Sequence, residues 1–180
     1  PKLKMMGIEA VKSSTPAPCR KMIKDAISII MNESEDNVQK YIMKMRSDFR
    51  NMDPADIAFP RTCNNVEKYS NRLTIYSKGT PMHVRGSLLF NHYLKEKNLE
   101  GKYNVINNGE KIKFCYLTNP NPIHENVISF ISEFPKEFGL SQYIDYDLQF
   151  EKSFIEPLKA ILDSIGWSVE KTVTLESFFV

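Results

Sequence analysis

Apolar residues recur with a helical period along several stretches of the chain. Cys19, Met22, Ile23, Ala26, Ile27 and Ile30 lie three or four apart, which predicts a helix reaching about Met31. Arg20, Lys21 and Lys24 fall on its other side. Thr15 is a good N-cap for it, and Pro16 suits its first position. Val38, Tyr41, Ile42, Met45 and Phe49 predict a second amphipathic helix, with Ser34 as cap and acids in the first turn. The short turn at 32–36 makes the pair an αα-hairpin. Residues 2–10 alternate Lys2 and Lys4 with Leu3 and Met5, a strand pattern. Asp53-Pro54 ends the second helix. The stretch 57–81, broken by Pro60, Asn64, Asn65, Gly79 and Pro81, reads mainly as loop with a helical turn near 66–69.

A third helix is predicted over 84–97, with Val84, Leu88, Leu89, Tyr93 and Leu94 inward. Residues 103–106 and 111–117 read as a β-hairpin around Asn107-Asn108-Gly109. Residues 127–134 fit a strand or a helix and end at Pro135. A long helix is expected over 145–164, with Leu148, Ile155, Leu158 and Leu162 inward, Pro157 as a kink and Gly166 as its stop. The fold class is therefore α+β, mostly α.

The 180 residues suit one domain, and 42% hydrophobic with 26% charged residues is ordinary for a globular chain. No apolar run approaches the ~18 residues of a membrane-spanning helix, and the first residues lack the apolar stretch of a signal peptide. The chain opens at Pro1 without a methionine, and a piece of a longer protein is expected. Cys19, Cys63 and Cys115 are far apart, which fits a reducing compartment and argues against a disulfide framework or a zinc site. The glycines form neither G-x-G-x-x-G nor G-K-[ST], which excludes a P-loop. Charge changes the picture more. Residues 1–50 hold 10 basic and 6 acidic side chains, residues 61–113 hold 10 and 4, and residues 114–180 hold 4 and 10. Such segregation points to a basic face for a polyanion, unless folding remixes it.

Lys12-Ser13-Ser14-Thr15-Pro16 sets a lysine and three hydroxyls before a helix, either a phosphate or groove contact or a plain capped helix. Lys68, Tyr69, Lys78, His83 and Arg85 bring cations and an aromatic into loop-rich sequence, as backbone phosphates require and as a solvated loop also shows. His83 lacks a catalytic partner pattern. Asp145 and Asp147 open a helix, where i and i+2 face apart, so they are a dipole-favoured first turn and not a metal pair. No serine lies in G-x-S-x-G. No catalytic residue, metal ligand or enzyme mechanism emerges. At the carboxyl end Leu175, Phe178 and Phe179 form apolar anchors that either dock into a partner's pocket or tuck back onto the domain.

These blocks, in this order, resemble family B DNA polymerases of T-even-like phages. P-K-L-K-M-M-G-I-E-x-x-K-S-S-T-P is similar to the end of their palm domain. N-N-V-E-K-Y, P-M-H-V-R-G-S-L-L-F-N, F-E-K-S-F-I-E-P-L and L-E-S-F-F-V are similar to successive parts of their thumb and carboxyl end. Residues 98–143 match only loosely, and no family role is carried into them. The resemblance implies a thumb-like helical domain with a small β-hairpin element, divided as palm edge 1–14, thumb 15–168 and clamp-binding tail 169–180. It implies DNA contacts by Lys4, Lys12, Ser13, Ser14, Asn65, Lys68, Tyr69, His83 and Arg85, with Lys12 in the minor groove at the primer end. It implies that Leu175, Phe178 and Phe179 bind the phage sliding clamp. The implied partners are primer–template DNA, the clamp and the rest of the polymerase, in the same chain or as a separate subunit, in the cytoplasm of an infected bacterium and without a membrane. The family's metal-binding aspartates lie upstream, so this chain alone is expected to be inactive, with Mg2+ serving the whole enzyme. The competing readings are a stand-alone nucleic-acid-binding protein and a protein–protein adaptor.

Overall fold

The structure, a computed structural model, describes residues 12–171. The strand expected at 2–10 lies outside them. The chain divides into two compact units, one made of 12–51 with 150–171 and the other of Met52–Gln149.

The first unit is helical. Helix α1 (Ala17–Asn32) buries Cys19, Met22, Ile23, Ala26 and Ile27, the stripe that the spacing predicts. Its start corrects one expectation: Pro16 is the N-cap and makes no side-chain cap bond. Thr15 is buried instead, 3% exposed. Helix α2 (Glu35–Phe49) is capped as expected, Ser34 Oγ accepting from the Asn37 amide at 3.3 Å, with Glu35 and Asp36 in its first turn. Tyr41 OH reaches back to Asp25 at 3.4 Å across the hairpin of the two helices.

The expected long helix appears as α6 (Tyr146–Phe150), a π-helical turn (Glu151–Ile155) and α7 (Glu156–Ser164). Pro157 has no N–H for the carbonyl four residues back, and its ring crowds that carbonyl. The preceding turn widens, the Glu156 amide donating to Glu151 O, five residues back. The π turn buries Ser153, Phe154 and Ile155. Cys19 Sγ meets Ser153 Oγ at 3.3 Å. Phe150 packs edge-on to Phe49 with centroids 5.2 Å apart, while Arg46 covers its ring at 4.9 Å. Leu158 and Leu162 are buried as predicted, Leu148 only half so. The run ends near Gly166, whose φ of +74° only glycine adopts without strain.

The second unit is a sheet covered by one helix. Strands β1 (Phe59–Cys63), β4 (Glu110–Tyr116) and β5 (Val127–Phe130) form an antiparallel sheet in the order β1-β4-β5. Between β1 and the helix lie α4 (Val66–Tyr69) and a two-stranded hairpin, β2 (Ser70–Asn71) with β3 (Ile75–Tyr76). A short α3 (Pro54–Ile57) precedes β1. Helix α5 (Met82–Glu96) packs on the sheet face carrying Cys63, Phe114 and Ser129 and buries Val84, Leu88, Leu89, Phe90 and Leu94. At Gly86 an added Cβ would overlap Ser129 Oγ and approach its amide, so glycine sets how closely helix and strand approach.

Two expectations fail in this unit. Residues 57–81 are not mainly loop: Pro60 sits in β1, an edge strand, where a missing N–H is tolerated. Residues 103–106 do not pair with 111–117. The Asn91 side chain on α5 takes both backbone groups of Ile106, at 2.8 and 2.9 Å. The Asn107-Asn108-Gly109 turn forms, with Gly109 at φ +84°, but hands β4 to β1. The small hairpin is β2–β3 instead. No described helix is long and apolar enough to cross a membrane.

Candidate nucleic-acid interface

In the first unit, Lys12 and Ser13 are exposed and Ser14 is half-buried, in a turn closed by the Thr15 amide on Lys12 O at 3.1 Å. The helix that follows has no side-chain cap and no acid in its first turn. No carboxylate of the helix's own first turn therefore offsets the positive end of its dipole.

The other described candidates gather in the second unit. Asn65 adopts a left-handed conformation (φ +64°) and starts α4. Its amide donates to the Asn108 side chain at 2.6 Å, joining the loop that follows β1 to the loop between α5 and β4. Lys68 is exposed, its ammonium 5.2 Å from the Tyr69 ring centre. Both α4 and β3 pack on α5, bringing Asn65, Lys68 and Tyr69 onto the element that carries His83 and Arg85.

His83 lies in the first turn of α5 and is half-buried. Burial, then the charge of Arg61, holds its pKa below the usual 6.5, partly offset by a hydrogen bond to the Thr62 backbone. It is therefore a neutral ring at neutral pH and contributes hydrogen bonding without charge. Arg85 is largely sequestered, its side chain 21% exposed. Its Nη2 donates to Asn126 Oδ1 at 2.7 Å, its Nη1 lies 3.5 Å from Glu125 Oε2, and its guanidinium sits 5.6 Å above the Tyr76 ring. Tyr76 OH closes the network on Glu125 Oε1 at 2.6 Å. Arg85 is thus the centre of a latch that fixes the β2–β3 hairpin to α5.

Three residues escaped the sequence reading. Arg61 on β1 lies over the rings of Phe59 and Phe114, at 5.7 and 5.4 Å. Arg72 and Leu73 form the exposed tip of the β2–β3 hairpin, Leu73 being 95% exposed. The excess of cations over 61–113 was the available signal. It could not assign Arg61 to a strand or Arg72 to a turn inside a stretch rich in breakers.

Asp145 acts as a helix cap, its Oδ1 accepting from the Leu148 amide at 3.0 Å, and Asp147 lies in the first turn of α6. Among the described residues no group of three or more His, Cys, Asp or Glu side chains could hold a metal ion. The three cysteines are buried free thiols. Lys4 and the tail residues Leu175, Phe178 and Phe179 lie outside the described residues.

No protein-family model matches the chain. It is 31% identical over 183 residues to the DNA-directed DNA polymerase of Enterobacteria phage T4, and 32% identical over 184 residues to that of Escherichia phage RB69. Each match covers 99% of this chain and 20% of the relative, so the chain spans about a fifth of the length of these polymerases. The fold is also that of part of the family B DNA polymerase of the archaeon Pyrobaculum calidifontis, with a TM-score of 0.51 and 16% identity over 80% of this chain and 17% of that one. Over almost its whole length the chain is therefore similar to one segment of two phage DNA-directed DNA polymerases.

Proposed function

We propose that this chain is the carboxyl-terminal, thumb-like portion of a phage replicative DNA polymerase. It holds the primer–template duplex by its backbone and minor groove and carries the attachment to the sliding clamp. The observation that carries this reading is the match of 99% of the chain to two phage DNA polymerases. The cation excess of residues 61–113, a segment of the second unit, supports it. Lys68, Lys78 and Arg61 supply charge for phosphates, the sequence-independent part of duplex affinity. Lys12 serves the minor groove, where purine N3 and pyrimidine O2 accept a hydrogen bond at every correct pair. A lysine there senses pair geometry without reading sequence. Arg85 positions the hairpin through its latch more than it meets solvent, and His83 adds a neutral donor beside Arg61.

The tail anchors Leu175, Phe178 and Phe179 are proposed to enter an apolar pocket of the clamp, each buried side chain contributing about 1.5–3 kcal/mol before the cost of ordering the peptide. Polymerisation itself belongs to the rest of the enzyme, in the same chain or another. The described residues do not fit the catalytic Mg2+ ions, and no step through those ions is assigned to them. The setting is the cytoplasm of the infected host.

The test supplies the protein alone with Mg2+, deoxynucleotides and a primer–template. Retention of the duplex with no primer extension is expected. Extension by the pure chain would overturn the division of labour, and failure to retain duplex would overturn the gripping role.

A further inference from the structure

Leu73 has no role in the reading above. Of the large apolar residues described as exposed it is the most so, at 95%, against 71% for Met43 and 56% for Met31. Single exposed apolar side chains are ordinary on protein surfaces. The backbone under this one is not, because the whole hairpin is braced. Asn71 Oδ1 accepts from the Leu73 and Thr74 amides at 2.8 and 3.2 Å. Thr74 Oγ1 donates to Tyr76 O at 2.8 Å, and the Ser77 amide to Tyr69 O at 2.8 Å. Tyr76 is held in turn by Glu125 and covered by Arg85. Ile75 sits at φ +72°, a strained conformation for a β-branched residue that persists only when its surroundings enforce it. The unit thus uses a strained residue and a half-buried arginine to hold an apolar side chain out in water.

We propose that this tip is a minor-groove wedge: Arg72 rests on a phosphate while Leu73 presses between the walls of the groove against the sugar faces. The inference rests on the duplex-gripping reading and deepens it. Charge selects the occupant. Arg61, Lys68, Arg72 and Lys78 face a single acid, Glu67, over residues 61–80, which suits a polyanion. A groove with apolar sugar walls between two rows of phosphates matches an apolar residue beside a cation, and apolar side chains that enter the minor groove are a recurring mode of DNA contact. Rigidity fits as well, since a braced tip loses little freedom on binding.

Anisotropy titrations of the 180-residue protein against a short labelled DNA duplex, at several salt concentrations, test this. Leu73→Ser should weaken binding about three- to tenfold with no change in salt dependence, because it removes apolar contact and no charge. Leu73→Met should restore most of the loss. Arg72→Gln should reduce the slope of log affinity against log salt by about one unit. Leu73 lies outside the core, so a thermal melt should match that of the unaltered protein. Unchanged duplex binding by Leu73→Ser overturns the wedge and leaves the gripping role standing. The same holds if the variant's defect appears only in association with another protein. If the unaltered protein fails to bind duplex, the gripping role falls and the wedge with it.

Discussion

At the level of single residues, packing rather than charge decides which side chains are replaceable. Gly86 lies on the α5 face against β5, where a methyl group would overlap Ser129 Oγ. Gly86→Ala should cost about 1–3 kcal/mol, since one of two backbone elements must move, and chemical denaturation should read the loss as a lower midpoint. Nothing in the local sequence marks that glycine, because the close approach comes from a strand more than forty residues later. His83 makes the opposite point. Its position was legible, but its charge was not, because the burial and the Arg61 neighbour that hold it neutral arise from tertiary structure. With the folded pKa below the unfolded 6.5, the neutral ring's contribution to stability is complete above 6.5 and is lost as pH falls from there through the lower folded pKa. His83→Gln should leave the salt dependence of duplex binding unchanged, whereas loss of an exposed lysine such as Lys68 should lower it. Arg85 likewise reads as a free cation in sequence and is a half-buried tie in the fold.

Among the elements, helices were read well and strand pairing poorly, for physical reasons. The stripes of α1, α2 and α5 are local patterns, and a 3.6-residue period survives whatever packs against it. Strand pairing is non-local. The segment 103–106 was expected to join β4 after a good turn, but Asn91 outcompetes the hairpin for the Ile106 backbone. Pro60 hid β1 because proline reads as a breaker, while an edge position tolerates it. The β2–β3 hairpin depends on its latch more than on its short ladder. Tyr76 OH meets a carboxylate whose side chain is 18% exposed, and such a charge-assisted bond contributes about 1.5–3 kcal/mol. Tyr76→Phe should therefore loosen the tip, and limited trypsin digestion should cut after Arg72 about tenfold faster or more. An unchanged cleavage rate would show that the ladder and the Asn71 turn suffice.

For the molecule as a whole, the family resemblance carried what periodicity could not. Charge segregation alone left a nucleic-acid role and a remixed surface equally open. The ordered blocks from Pro1 to Val180 pointed to phage polymerases, and the match over 99% of the chain agrees. The division into two units was not legible, because the first is built from segments about a hundred residues apart. The account's central claim is a duplex grip that is blind to sequence and driven by charge. The most direct measurement compares the protein's affinity for two unrelated DNA duplexes of equal length at two salt concentrations. The account predicts equal affinities at each concentration and a steep fall for both as salt rises, because each phosphate contact releases a counterion. A marked preference for one duplex, or binding that ignores salt, would contradict it.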